Sequence, residues 1–123
     1  MNLNVKLLNK DTAKEIYDEA SALLRTPEYS VRNLMRKMNV KVVCTTDDPV
    51  DSLEWHKKIK EDETFDVQVL PAFRPDRAMN QEKADFLDYL QQLSTVSGVE
   101  ITSFKTLMEA LSKRMDFFAE NGC

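Results

Sequence analysis

An α/β fold, two parallel β/α units preceded by two helices, is predicted by three features of this sequence. Two β-branched runs, Val40-Lys41-Val42-Val43-Cys44 and Val67-Gln68-Val69-Leu70, have the composition of buried strands. A helix-like stretch lies between them, which makes the unit βαβ and its strands parallel. Each run ends in polar residues, Thr45-Thr46-Asp47-Asp48-Pro49 after the first and Pro71-Ala72-Phe73-Arg74-Pro75-Asp76 after the second. Both strands therefore carry their chemistry at the same end, where open α/β sheets and α/β barrels place their sites.

Composition sets the limits around this reading. With 123 residues, 42% of them hydrophobic, the chain is long enough for one compact domain and too short for two ordinary ones. A helical lead-in is expected over residues 1–39 and the two β/α units over 40–123. The net charge of −4 and a pI near 5.0 argue against a nucleic-acid surface, which needs clustered lysine and arginine. Cys44 and Cys123 have neither metal-ligand spacing nor the look of a disulfide framework, which suits a reducing compartment. The sequence has no signal-peptide order and no apolar run of membrane-spanning length, so a soluble, cytoplasmic protein is expected.

Met1 to Lys10 has too little pattern to decide between an extended arm and a helix. Thr12-Ala13-Lys14-Glu15 has the order of a capping box, and Ile16, Ala20, Leu23 and Leu24 recur on one face, so a helix is expected to about Leu24. Thr26-Pro27-Glu28 is a fresh helix start. A second helix from about Ser30 to Met38 sets Val31, Leu34, Met35 and Met38 against a cationic face of Arg32, Arg36 and Lys37, read as solvated; Asn39 can stop it.

After the first strand, Asp48-Pro49 can cap a helix from roughly Val50 to Lys60, a role that can coexist with a catalytic one for Asp48. His56, the chain's single histidine, lies mid-helix and reads as a packed or surface residue. The second strand should stop pairing near Leu70, because Pro71 cannot donate to a ladder, and the backbone from Ala72 should turn outward. Arg74 then emerges on the same rim as Asp47 and Asp48. A loop over 75–80 leads to a helix from about Gln81 to Leu93 with Phe86, Leu87, Leu90 and Leu93 as its apolar stripe, then to Ser97-Gly98 and an extended piece over 99–101. The last helix carries Phe104, Met108, Leu111, Met115 and Phe118, widened by Leu107 and Ala110, as a core-packing stripe, and stops at Asn121-Gly122.

Two parallel strands and about five helices do not complete an α/β sheet, since each strand needs neighbours and each apolar face needs cover. The chain is thus expected to be part of something larger, or to self-associate as a homo-oligomer through uncovered strands or helices. A third reading, in which Asp47 and Asp48 hold Mg²⁺ in a phosphoryl-transfer domain, lacks a glycine-rich phosphate loop.

The blocks Val42-Val43-Cys44-Thr45-Thr46-Asp47-Asp48-Pro49, Leu53-Glu54-Trp55-His56, Val69-Leu70-Pro71-Ala72-Phe73-Arg74-Pro75-Asp76 and Arg114-Met115-Asp116-Phe117-Phe118, with Asn121-Gly122-Cys123 closing the chain, resemble the uronate isomerase (glucuronate isomerase) family over nearly the whole chain. The resemblance implies an internal fragment of an amidohydrolase-type (β/α)8 barrel, a partial TIM-type barrel that is inactive by itself. The parent activity it implies is interconversion of glucuronate and fructuronate, or of galacturonate and tagaturonate. It also implies a divalent metal such as zinc in full-length members. The family's His-x-His pair and late-strand catalytic groups have no counterpart here, so no metal ligand, cofactor or catalytic residue is assigned to this segment. A hexuronate brings a carboxylate, which a planar guanidinium binds bidentately. Arg74 is the first candidate for that contact, with Asp47, Asp48, Thr45 and Thr46 as acceptors of sugar hydroxyls or supports for Arg74.

Overall fold

The computed structural model describes residues 7–123, so residues 1–6 of the undecided opening segment lie outside the described residues. The chain divides into two compact units, 1–41 and 42–123.

The first unit holds α1 (Ala13–Leu24), one 3₁₀ turn at Pro27–Tyr29 and α2 (Val31–Lys37). The predicted capping box at Thr12 does not form. Thr12 has φ −101° and ψ −11° and makes no side-chain cap bond, whereas a capping residue needs an extended backbone to turn its oxygen toward the free N–H groups. Asn9 has taken over the helix entry instead. Its side-chain oxygen accepts from the N–H groups of Asp11 (2.8 Å) and Thr12 (3.1 Å), and the Thr12 hydroxyl donates to the Leu7 carbonyl at 2.8 Å. Pro27 starts the next turn as expected. On the cationic face of α2, Lys37 reaches back to Glu28 at 2.6 Å. Asn39 stops α2 with a left-handed φ of 54°, letting the Val40 N–H return to the Met35 carbonyl at 2.9 Å.

The second unit is built on a parallel pair, β1 (Val42–Cys44) and β2 (Gln68–Leu70), in the register Val42–Gln68, Val43–Val69 and Cys44–Leu70. Pairing does not end at Leu70. A further parallel bridge joins Asp47 to Phe73, with Asp47 N–H donating to the Ala72 carbonyl and Arg74 N–H to the Asp47 carbonyl, both at 2.9 Å. Backbone groups alternate sides along a strand, and the carbonyls of Leu70 and Ala72 both accept from the first strand. Pro71, between them, therefore points its missing N–H at the opposite edge. The proline removes nothing from this ladder, so the expected outward turn at Ala72 is corrected.

α3 (Glu54–Lys60) begins four residues later than the predicted start at Val50. Asp48 does not cap it. The Asp48 carboxylate accepts the Val50 N–H at 3.0 Å, Asp51 accepts the Leu53 N–H at 2.6 Å, and Leu53 itself sits at φ 55°. Two successive Asx turns thus consume the residues that would have made the first helical turn. A short helix, α4 (Asp76–Met79), occupies the predicted loop, and α5 (Phe86–Ser97) starts after a turn at 81–85 and ends at Gly98, φ 66°. Residues 99–101 belong to neither helix nor strand.

α6 (Phe104–Glu120) packs on α5 around Ala78, Tyr89, Leu93, Val99, Leu107 and Ala110. Its buried face is Leu107, Ala110, Arg114 and Phe118, and the predicted stripe is corrected: Phe104 is 75% exposed and Met115 55%. At 100° per residue, Phe104, Met108 and Met115 share a face about a quarter-turn from the buried one. Small Ala110 lets α5 approach on one side, and the apolar surface of α6 is wider than its own unit covers. Leu87 on α5, also expected in the core, is exposed.

Ser103 supplies what Thr12 does not. Its extended backbone (φ −155°) directs the hydroxyl to the Thr106 N–H at 3.2 Å, while the Thr106 hydroxyl accepts the Ser103 N–H at 3.0 Å. Ser103→Ala is therefore expected to lower the unfolding free energy by about 1 kcal/mol, and Thr12→Ala by less than about 0.5 kcal/mol. Urea denaturation of the two variants checks the difference, and equal losses would refute the assignment of caps.

Candidate functional site

The ladder beyond β1 and β2 brings most of the predicted polar residues to one end of the strands. Thr45 and Asp47 are held by backbone bonds to Leu70 and Ala72, and Arg74 is held through its N–H by the Asp47 carbonyl. The Asp47 carboxylate turns back into this join. Its Oδ2 accepts the Thr45 hydroxyl at 2.6 Å and the Ala72 N–H at 3.1 Å. One carboxylate oxygen thus ties both strand ends together, and a charge-assisted bond of this kind is stronger than a neutral one.

His56 joins the same group. Its Nε2 lies 2.7 Å from the Thr45 hydroxyl oxygen and 3.8 Å from Asp47 Oδ2, and the His56 and Asp47 side chains are both nearly buried. Its Nδ1 is buried without a hydrogen-bond partner among the described residues. The sequence did contain a signal for this position, since His56 and Ile59 on α3 continue a spacing of three from Leu53, which immediately precedes the helix and is fully buried.

Asp48 stands beside this cluster but does different work. Its carboxylate shapes the turn at Val50, and its carbonyl accepts the Asp51 N–H at 2.9 Å. Tyr89 is buried near it. Burial, with the Asp48 charge adding to it, pushes the Tyr89 phenol well above its ordinary value, so the hydroxyl keeps its proton. Thr46 is exposed. The Arg74 guanidinium is also exposed and pairs with Asp76 rather than with Asp47 or Asp48. Next to it, Arg77 pairs with Asp85 at 3.2 Å and lies 4.4 Å over the Tyr89 ring.

A second arginine, absent from the sequence-based candidates, braces the rim from behind. Arg114 on α6 is 7% exposed. Its Nε donates to the Pro49 carbonyl at 2.6 Å and an Nη to the Asp51 carbonyl at 2.8 Å, with the guanidinium 4.1 Å over the Phe117 ring. Burial lowers its pKa, and Asp51 opposes that shift. The signal for it was a cation placed where the helical period of α6 calls for an apolar residue.

The donor set does not fit a metal. Among the described residues no three His, Cys, Asp or Glu side chains are grouped to hold an ion. Asp47 Oδ2 and Asp48 Oδ1 each accept hydrogen bonds from the protein, and His56 Nε2 is bonded to Thr45. The Mg²⁺-pair reading of Asp47 and Asp48 has no support in this geometry.

Comparisons with known proteins agree on one relationship. A family model described as glucuronate isomerase matches residues 2–123. The chain is 59% identical over 117 residues to a uronate isomerase of Lachnospira eligens, covering 95% of this chain and 25% of that protein. It is 54% identical over 119 residues to one of Bacteroides thetaiotaomicron, covering 96% and 25%. Among solved structures, uronate isomerase from Thermotoga maritima superposes with a TM-score of 0.79 at 39% identity, covering 96% of this chain and 26% of that one. Glucuronate isomerase from Caulobacter crescentus gives 0.81 at 28% identity, covering 96% and 24%. The chain thus spans about a quarter of the length of the relatives it matches.

Proposed function

Because this chain belongs to the glucuronate isomerase family, we propose that it forms part of the substrate-binding rim of an aldose–ketose isomerase acting on a hexuronate, glucuronate to fructuronate or galacturonate to tagaturonate. The observation that carries this reading is the parallel ladder running past both strands to Asp47 and Arg74, which sets polar groups at the strand ends on rigid backbone. In this reading the two β/α units are a portion of a (β/α)8 barrel, whose sites lie at that face.

Arg74 binds the substrate carboxylate. Its present partner, Asp76, is more than half exposed, as is Arg74 itself, and an exposed ion pair is worth little, so exchange for a substrate carboxylate is cheap. Asp47, Asp48, Thr45 and Thr46 border the same rim as hydroxyl acceptors or supports. The reaction moves a proton between C1 and C2 through an enediol. The base and the electrophile belong to other parts of the enzyme, as does any divalent metal. The exposed stripe of Phe104, Met108 and Met115 supports association with further polypeptide, either the rest of the enzyme or a second copy. The free thiols of Cys44 and Cys123 suit the cytoplasm.

Conversion of glucuronate to fructuronate, assayed on this polypeptide alone and on a full-length enzyme carrying it, tests the proposal. Turnover is expected only from the full-length enzyme. Robust metal-dependent turnover by the 123-residue chain alone would overturn the assignment of a rim without catalytic groups.

A further inference from the structure

The Thr45 hydroxyl has one proton and three neighbours: Asp47 Oδ2 at 2.6 Å, His56 Nε2 at 2.7 Å and the Leu70 carbonyl at 3.3 Å. An ionised carboxylate can only accept. If the hydroxyl proton went to His56, two acceptor oxygens would face each other at 2.6 Å with nothing between them. The proton therefore belongs on the Asp47 side, and His56 Nε2 must be the donor to Thr45. The other ring nitrogen gives the same answer independently. Nδ1 is buried without a partner among the described residues, and a proton there would be an unsatisfied buried donor.

We propose that His56 is a positioning residue for the rim, acting through a relay that converges on Asp47: His56 Nε2–H donates to Thr45, the Thr45 O–H and the Ala72 N–H both donate to Asp47 Oδ2, and the Arg74 N–H donates to the Asp47 carbonyl. His56 touches no substrate. It removes the alternative orientation of the Thr45 hydroxyl, so Asp47 Oδ2 keeps its grip on Ala72 and the backbone that carries Arg74 stays in register. The inference rests on the reading of Arg74 as the carboxylate-binding residue.

Two measurements test it. In a full-length enzyme carrying this segment, His56→Leu removes the donor, whereas His56→Gln can present an amide N–H near the Nε2 position. His56→Leu is expected to raise KM about tenfold, the worth of one charge-linked hydrogen bond, and to leave kcat within about twofold, the signature of lost binding. His56→Gln should recover most of that loss. Thr45→Val should match His56→Leu, and the double variant should be no worse than either, because both break one chain. An unchanged KM in His56→Leu, or a His56→Gln variant as impaired as His56→Leu, would overturn the relay. Arg74→Ala separates the two claims: a raised KM there with none in His56→Leu defeats the relay alone, and no change in Arg74→Ala defeats the carboxylate reading. Nitrogen–proton correlation of the His56 ring in the folded chain reads the relay without any assay. A proton on Nε2 is expected, and one on Nδ1 would overturn the direction assigned.

Discussion

Arg74→Ala, introduced into a full-length enzyme carrying this segment, is expected to raise KM for the hexuronate by about 10- to 100-fold. Hydrogen bonds to a charged group are worth roughly 1.5–3 kcal/mol, which is that factor in affinity. The side chain is more than half exposed and its bonded partner among the described residues is Asp76, also exposed, so its removal should cost little stability. Arg74→Lys is the sharper test. Lysine keeps the charge but lacks the planar fork that engages both oxygens of a carboxylate, and should fall between wild type and alanine. Steady-state kinetics at several substrate concentrations decide the matter. A kcat loss with unchanged KM would place Arg74 at the reacting atoms instead, and no loss at all would remove it from the rim.

Arg114→Met should give the larger change in stability. Arg114 is buried, far from the rim in sequence, and spends two donors on the carbonyls of Pro49 and Asp51. Methionine fills a similar volume but leaves both acceptors unsatisfied, at about 1–3 kcal/mol each, so a loss of about 2–6 kcal/mol is expected. The turn over residues 49–53 directs Leu53 into the core at a left-handed backbone angle, a conformation that costs a leucine roughly 1–2 kcal/mol and needs outside support. Urea unfolding of Arg114→Met against wild type measures the effect. A loss below about 1 kcal/mol would mean that water takes over both carbonyls and that the brace is dispensable. Arg114→Lys keeps a charge on a flexible stem and can reach one carbonyl at best, so it should recover less than half.

The two predictions rest on residues of very different legibility. Arg74 was identifiable from its place after an apolar run and a proline, because strand ends in α/β folds are where polar side chains collect. Arg114 lay inside a helix whose apolar period was read one face away. A stripe of Phe104, Met108, Leu111, Met115 and Phe118 satisfies helical spacing as well as the face that is buried. Periodicity gives the angular width of an apolar surface and not which part of it a neighbour covers. Thr12 and Ser103 make the same point at helix starts. Both precede a residue able to complete a capping box, but the backbone angles that permit capping exist at Ser103 and not at Thr12. At Thr12 the N–H is already taken by the Asn9 side chain, whereas Ser103 is itself extended and free to turn its hydroxyl toward the helix.

By itself the sequence determined the parallel βαβ order, the polar character of both strand ends and the family. Each of these is written in residue type and spacing along short stretches, where local propensity and pattern agree. Only the tertiary structure decided that pairing continues past Pro71, that Asp48 shapes a turn rather than capping a helix, and that His56 on α3 bonds to Thr45 and Arg114 on α6 to the carbonyls of Pro49 and Asp51. Those outcomes depend on which side of a strand a missing N–H faces and on bonds between residues 11 to 65 positions apart. Such directions and distances are set when elements pack, because a hydrogen bond has a geometry that a one-dimensional pattern does not contain.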